Sequence, residues 1–277
     1  MIPHALTIAG SDPSGGAGIQ ADLKTFSALG AYGMSVLTAL TAQNTMGVQA
    51  VHAPPAEFVT AQLDSIFADV RVDAVKIGML GPAANVRAVA DAVRTYRPPW
   101  VVLDPVMVAK SGDRLLDADA VGCLRAELLP LVDLVTPNLP EAADLLGEPE
   151  ATDEGEMAAQ LHRLGRLCPR VLLKGGHLHD AQCLDLLLEG GVVTRLTAPR
   201  VPTRNTHGTG CTLSAAIAAL APQRRDWASA VADAKRYLTA ALEHADALDV
   251  GSGHGPPHHF HAWWPLAPPQ SDRQRPA

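Results

Sequence analysis

Basic clusters are missing from this sequence. Its 22 Lys and Arg are scattered along the chain and outnumbered by 29 Asp and Glu, for a net charge of −7. That leaves no electrostatic footprint for nucleic acid or an anionic membrane, so any phosphate compound must be held locally. Cysteine is scarce as well. Cys123, Cys168, Cys183 and Cys211 lie far apart with no C-x-x-C spacing, which argues against a zinc site or a disulfide framework and for a reducing cytoplasm. No apolar run approaches membrane-spanning length, and Met1-Ile2-Pro3-His4 leads straight into an apolar strand without a basic region or cleavage-like site. The chain is therefore expected to be soluble and not exported. Nor does any Pro-, Gly- or Ser-rich linker divide it. A single domain over 1–265 is expected, followed by a polar, proline-rich tail, 266–277, expected to be disordered.

What is present is a long alternation. Apolar, strand-forming runs occur at 5–9, 32–42, 74–80, 101–107, 134–136 and 171–174. Helical patterns fill the spaces between them at 19–29, 55–70, 82–95, 117–129, from 137 onward, and 153–167. The segments 183–188 and 192–196 read as a hairpin at a sheet edge, and two long helices over 210–221 and 227–248 follow. This spacing predicts an α/β fold with a mostly parallel central sheet and helices on both faces.

Chemistry concentrates where these strands end. Asn205-Thr206-His207-Gly208-Thr209-Gly210-Cys211-Thr212 opens into an alanine-rich run, so backbone amides crowd at a helix start. That makes an anion site, with Cys211 in the first turn where the helix terminus favours thiolate. The bland alternative is a buried helix start with an inert cysteine. Asp104, the pair Asn138 and Glu141, and Lys174 before two glycines also fall at strand ends. A phosphoryl-transfer site needs such groups: carboxylates for Mg²⁺, a lysine for phosphate charge, and an amide-lined pocket for the transferred group. Gly16-Ala17-Gly18-Ile19-Gln20-Ala21 fits the dinucleotide fingerprint formally. It fails on context, because the preceding loop is long and no acidic residue stands between Asp22 and Glu57 to hold a ribose. No Walker A lysine follows either. Gln43, at a strand end without a competing charge, suits a donor–acceptor edge such as that of a pyrimidine, or is a polar strand terminus.

These residues carry a resemblance. The glycine-rich opening Ala9–Thr25, Ala42-Gln43-Asn44-Thr45, Lys76-Ile77-Gly78-Met79-Leu80, Asp104-Pro105-Val106-Met107, Thr136-Pro137-Asn138-Leu139-Pro140-Glu141, Lys174-Gly175-Gly176-His177 and His207-Gly208-Thr209-Gly210-Cys211-Thr212 resemble the hydroxymethylpyrimidine/phosphomethylpyrimidine kinases of the ribokinase superfamily. The likeness implies a ribokinase-like three-layer sandwich without a separate lid domain, a homodimer, and two ATP- and Mg²⁺-dependent phosphorylations of an aminopyrimidine in thiamine biosynthesis. It also implies roles for individual residues. Gln43, Ala17, Asp22, Met79, Val106 and Gly10 would line the substrate pocket. Gly208, Thr209, Gly210 and Cys211 would form the anion hole, with Cys211 as the candidate base. Lys174, Asn138, Thr206 and Lys235 would meet ATP, and Glu141 and Asp104 would serve Mg²⁺. Pyridoxal kinase is the runner-up, and a catalytically silent pyrimidine-binding protein the reading from another class. Lys235 is otherwise a solvated helix lysine. The histidines at 254, 258, 259 and 261 lie among prolines without supporting acids, so metal binding there is not expected, and they read as an ordinary chain end.

Overall fold

The computed structural model describes residues 1–107, 116, 118–176, 178 and 182–264. The tail 266–277, the stretch 110–115, Asp117 and His177 lie outside the described residues. The chain runs β1 (His4–Gly10), α1 (Gly18–Ala28), β2 (Tyr32–Asn44), β3 (Gly47–His52), α2 (Ala56–Asp69), β4 (Ala74–Ile77), α3 (Ala83–Tyr96), β5 (Trp100–Leu103), α4 (Ala118–Cys123), β6 (Leu134–Val135), α5 (Leu139–Leu146), α6 (Glu154–Leu164), β7 (Arg170–Lys174), β8 (Gln182–Glu189), β9 (Val192–Pro199), α7 (Thr209–Leu220) and α8 (Trp227–Glu243). Among the described residues the strands form one sheet in the order β3-β2-β1-β4-β5-β6-β7-β8-β9. Neighbours from β2 through β7 are parallel, and β3, β8 and β9 join as antiparallel edges.

The two faces of the sheet are built differently. Leu6, Ile8, Val75, Ile77, Val101, Leu103, Val171 and Leu173 point into a core shared with α2 to α6. Their neighbours Ala5, Ala74, Val102, Leu134 and Leu172 point the other way, onto α1, α7 and α8. The period of two puts adjacent residues on opposite cores, and both are apolar because both faces are covered. On the second face α7 is buried all round, and its Ala215, Ala216, Ala218 and Ala219 are small enough to let it lie between the sheet and its flanking helices. Each large aliphatic side chain withdrawn from water contributes about 1.5–3 kcal/mol before entropy is counted.

The structure adds to the sequence reading at two places and revises it at one. Residues 47–52, left without an assignment in the sequence, pair with the end of β2 as the strand β3; they are mostly exposed and carry no inward alternation. The helix expected over 117–129 is α4, followed by a π-helical turn at Leu124–Leu128 and a 3₁₀ turn at Leu129–Leu131, where Pro130 removes a donor. The histidine-rich end, read as an ordinary chain end, packs onto the domain: His258 and His259 are buried, and the Tyr237 hydroxyl donates to the carbonyl of His259 at 2.7 Å. Among the described residues no helix is long and apolar enough to cross a membrane.

Candidate active site

The parallel strands all end at one edge of the sheet, the edge at which open α/β sheets hold ligands. The N-terminus of α7 faces that edge across a cleft of about 750 Å³. Two glycines make the approach possible. Gly208 caps the helix with φ 77°, and a Cβ there would collide with the carbonyl of Gly16. At Gly210 a Cβ would come within 3.4 Å of both Asp104 Oδ2 and Lys174 Nζ, so the helix start lies directly over that ion pair. The Thr209 hydroxyl and amide both donate back to the Thr206 carbonyl, at 2.6 and 3.3 Å, and Gly208 to Cys211 line the cleft.

Beneath the helix start, Lys174 Nζ lies 3.1 Å from Asp104 Oδ1 and 3.9 Å from Glu141 Oε2. Asp104 is nearly inaccessible and also receives the hydroxyls of Thr136 and Ser214, each at 3.3 Å. Glu141 closes a capping box at the start of α5. Its Oε2 accepts from the Asn138 amide at 2.8 Å, and its own amide donates to Asn138 Oδ1 at 2.8 Å. Asn138, expected to meet ATP, thus has its side-chain oxygen engaged as a cap while still lining the cleft. Burial pushes the Glu141 carboxyl up to about 7, against the pull of Lys174 and with the help of Asp104. The ammonium of Lys174 is opposed by burial, but Asp104 and Glu141 outweigh that and raise its pKa.

Cys211 sits in the first turn as expected, but its acidity runs opposite to expectation. Burial pushes the thiol up to about 11, outweighing Lys76 and the Gly18 amide, which favour the thiolate, while Asp22 and Asp104 add to the rise. A helix terminus lowers a thiol only where the anion is solvated or paired, and here desolvation wins. Asp22 is also relocated. Instead of lining the cleft it lies fully buried beneath it, bonded to Lys76 Nζ at 2.8 Å and to the Thr7 hydroxyl at 2.6 Å. Lys76 borders the floor of the cleft but exposes no surface to it. Burial disfavours this ammonium, yet Asp22 more than compensates and holds it charged. A lysine inside an otherwise apolar parallel strand was the available signal for it.

Gly10, Ala17, Gln43, Met79 and Val106, which the resemblance puts around the substrate, all line this cleft. Two residues missed by sequence reasoning also line the cleft. His207 Nε2 lies 2.8 Å from Asp12 Oδ2, and that carboxylate also receives the amides of Gly16 and Ala17, so the pair ties the first glycine loop to the second. Their separation along the chain hides the contact. Thr206 and Lys235 line the cleft as well; Lys235 is buried and paired with Asp185 rather than solvated.

A lysine flanked by two carboxylates and open to the cleft, under a helix N-terminus and at the carboxyl edge of a parallel sheet, defines the phosphotransferase class of small-molecule kinases. The comparisons narrow the class: the family profile "Phosphomethylpyrimidine kinase" matches residues 12–258, and the chain belongs to that family. It is 61% identical over 262 residues to the hydroxymethylpyrimidine/phosphomethylpyrimidine kinase of Salmonella typhimurium, covering 94% of this chain and 98% of the relative. Among solved structures, phosphomethylpyrimidine kinase from Clostridium difficile superposes with a TM-score of 0.77 at 40% identity, covering 87% of this chain and all (100%) of the other. An ADP complex of Bacillus subtilis pyridoxal kinase superposes with a TM-score of 0.87 at 35% identity, covering 95% and 99%. The fold is ribokinase-like.

Proposed function

We propose that the chain phosphorylates 4-amino-5-hydroxymethyl-2-methylpyrimidine to its monophosphate and then to its diphosphate, using ATP, in thiamine biosynthesis. The observation that carries this reading is the triad of Lys174, Asp104 and Glu141 held under the first turn of α7; its family supplies the substrate. In the first step the hydroxymethyl oxygen attacks the γ-phosphorus, the bridging oxygen leaves with ADP, and the hydroxyl proton passes to Cys211 in its thiolate form. In the second step a phosphate oxygen of the monophosphate attacks the γ-phosphorus of a second ATP, and ADP leaves. That oxygen is largely ionised already, its second pKa being near roughly 6, so no strong base is needed. The amides of Gly208 to Cys211 and the Lys174 ammonium face the charge on the transferring group, while Asn138, Thr206 and Lys235 lie along the nucleotide's path. Gln43 meets the amino edge of the pyrimidine, with Gly10, Ala17, Met79 and Val106 around the ring.

Mg²⁺ fits the donor set. Asp104 and Glu141 offer hard oxygen ligands, and burial leaves Glu141 short of the stabilisation an anion needs. Among the described residues no three His, Cys, Asp or Glu gather into a cage, so nucleotide phosphates and water would complete the shell. When bound, the ion neutralises charge on the transferring phosphoryl group.

One domain over 1–265 carries the activity, in keeping with the single continuous sheet. Exposed Leu40, Met46, Val51 and Phe58 around the β2–β3 ribbon favour a homodimer. The four cysteines are free thiols, which suits a cytoplasmic location. A second reading, pyridoxal kinase, is favoured by the structural likeness to that enzyme. A coupled ADP-release assay with Mg-ATP separates them. Turnover of hydroxymethylpyrimidine and its monophosphate above that of pyridoxal is expected, and the reverse order overturns the substrate assignment. Binding without ADP release would make the chain a silent pyrimidine binder.

A further inference from the structure

The segment after α8 returns to the anion loop at three points. The Gly255 amide donates to Asn205 Oδ1 at 3.1 Å, the Gly255 carbonyl accepts from the His207 amide at 3.0 Å, and His259 Nε2 lies 3.1 Å from Thr212 Oγ1. His259 is itself held in place, its carbonyl receiving the Tyr237 hydroxyl from α8 at 2.7 Å. Thr212 is inaccessible and His259 nearly so, and neither lines the cleft.

The distances place the protons of this contact. Thr212 Oγ1 lies 2.9 Å from the Gly208 carbonyl oxygen, and two oxygens that close need a proton between them. The carbonyl has none, so the hydroxyl donates there and turns only lone pairs toward the ring. His259 therefore carries its proton on Nε2 and gives it to Thr212. Burial, joined by Lys24, His258 and His261, lowers the pKa of this ring to about 3, which keeps it a neutral donor at physiological pH. The hydrogen-bond chain runs one way, from the His259 N–H through the Thr212 hydroxyl to the Gly208 carbonyl.

That carbonyl belongs to the first peptide of α7. Gly208 caps the helix with φ 77°, a conformation its own side chain does nothing to hold. The peptide joining it to Thr209 is planar, so fixing its two ends fixes its direction. The carbonyl end receives the Thr212 amide at 2.8 Å as well as the hydroxyl, and the N–H end donates to the Thr206 carbonyl at 3.3 Å. The amides of Gly208, Gly210 and Cys211 are set out from this plane along the cleft.

We infer that His259 is a positioning residue for the phosphate cradle, orienting the first peptide of α7 through Thr212. The inference rests on the reading of Gly208 to Cys211 as the group that faces the transferring phosphoryl. A phosphoryl group moves in both steps, so a cradle out of line slows both alike, whereas loss of a base slows only the step that needs one.

The test measures kcat and KM of each phosphorylation per amount of folded protein. His259→Leu removes the donor and should lower kcat of both steps together by about tenfold, with the KM of each pyrimidine within about twofold of wild type. His259→Gln, whose carboxamide nitrogen reaches the Nε2 position, should recover most of the rate. Thr212→Val should cost at least as much as His259→Leu, and the double variant should be no slower than Thr212→Val alone, since both act through one chain. If His259→Leu does not fold, His259→Asn, too short to reach Thr212, takes its place with the same expectation. An unchanged kcat, a loss confined to the first step, or additive losses in the double variant overturns the inference. Ring ¹⁵N spectra, with His259 assigned by difference from His259→Gln, should show Nε2–H from about pH 5 to 8, and an Nδ1–H signal also overturns it. Wild-type protein that turns over neither pyrimidine refutes the functional reading instead. The positioning is then still decided by the ring spectrum and by the Gly208, Gly210 and Cys211 amide resonances, which His259→Leu should move and His259→Gln should not.

Discussion

Asp22–Lys76 and Asp104–Lys174 are the same two chemical groups in opposite settings. The first pair is sealed: both side chains are wholly inaccessible, 2.8 Å apart, with the Thr7 hydroxyl completing the carboxylate. The second is open, 3.1 Å apart with Lys174 14% exposed toward the cleft, and a second carboxylate stands within 3.9 Å. A sealed pair has all the partners it will ever have. An open one with surplus carboxylate is arranged to exchange partners, which is what a lysine serving nucleotide phosphates must do. The difference teaches that charge burial alone does not mark a catalytic lysine; the direction in which the pair is unfinished does.

The contrast can be broken in stability first. Lys76→Met leaves Asp22 buried beside only a hydroxyl, and the unfolding free energy measured in urea should fall by roughly 3–5 kcal/mol. Adding Asp22→Leu should restore much of it, since two apolar groups need no partner. A loss as large in the double variant would mean the pair is not the source. Lys174→Met should do the reverse, cutting kcat by roughly 10²–10³. Its stability cost should be clearly smaller than that of Lys76→Met, because Asp104 keeps the hydroxyls of Thr136 and Ser214. Stability losses of equal size would erase the distinction.

Cys211 sharpens the comparison, because its thiol feels both settings. Cys211→Ala should slow hydroxymethyl phosphorylation by roughly a hundredfold and monophosphate phosphorylation only a few-fold. Equal losses would leave the thiol as part of the anion hole. With the thiol pushed up to about 11, thiolate is rare at neutral pH, so the first step should climb about tenfold per pH unit between 7 and 9. The second step should stay flat over the same range. Stability carries the matching sign. The folded thiol titrates near 11 against an ordinary 9.0, so the folded state holds the extra proton between these values. This contribution is full below 9 and is lost as pH rises toward 11.

Much of the scaffold was legible because a parallel sheet covered on both faces writes itself as apolar runs, and its ligand edge follows from where each run stops. That rule placed Asp104, Lys174, Asn138, Glu141 and the Gly208 loop together before any coordinates. It could not place β3, whose side chains mostly face solvent, nor the π turn at Leu124–Leu128, which continues the same apolar period as a helix. Local rules also misjudged the charges. Cys211 looked like a helix-end thiolate because sequence shows neighbours along the chain and not the desolvation that folding imposes, whereas Asp22 was put in the pocket by the resemblance and lies buried beneath it. Asp12 and His207 were invisible for the same reason: each is an ordinary loop residue until the other arrives.

The segment around residues 251–259 has a consequence for how the enzyme is made. Its backbone reaches Thr45 through the amides of Gly253 and His254, Asn205 through Gly255, and the His207 amide through the Gly255 carbonyl, while His259 meets the Thr212 hydroxyl at 3.1 Å. A ribosome that has released the whole sheet has therefore not yet released what braces the anion loop. The nascent protein can hold its scaffold early but acquires a finished phosphate cradle only after the late segment folds back.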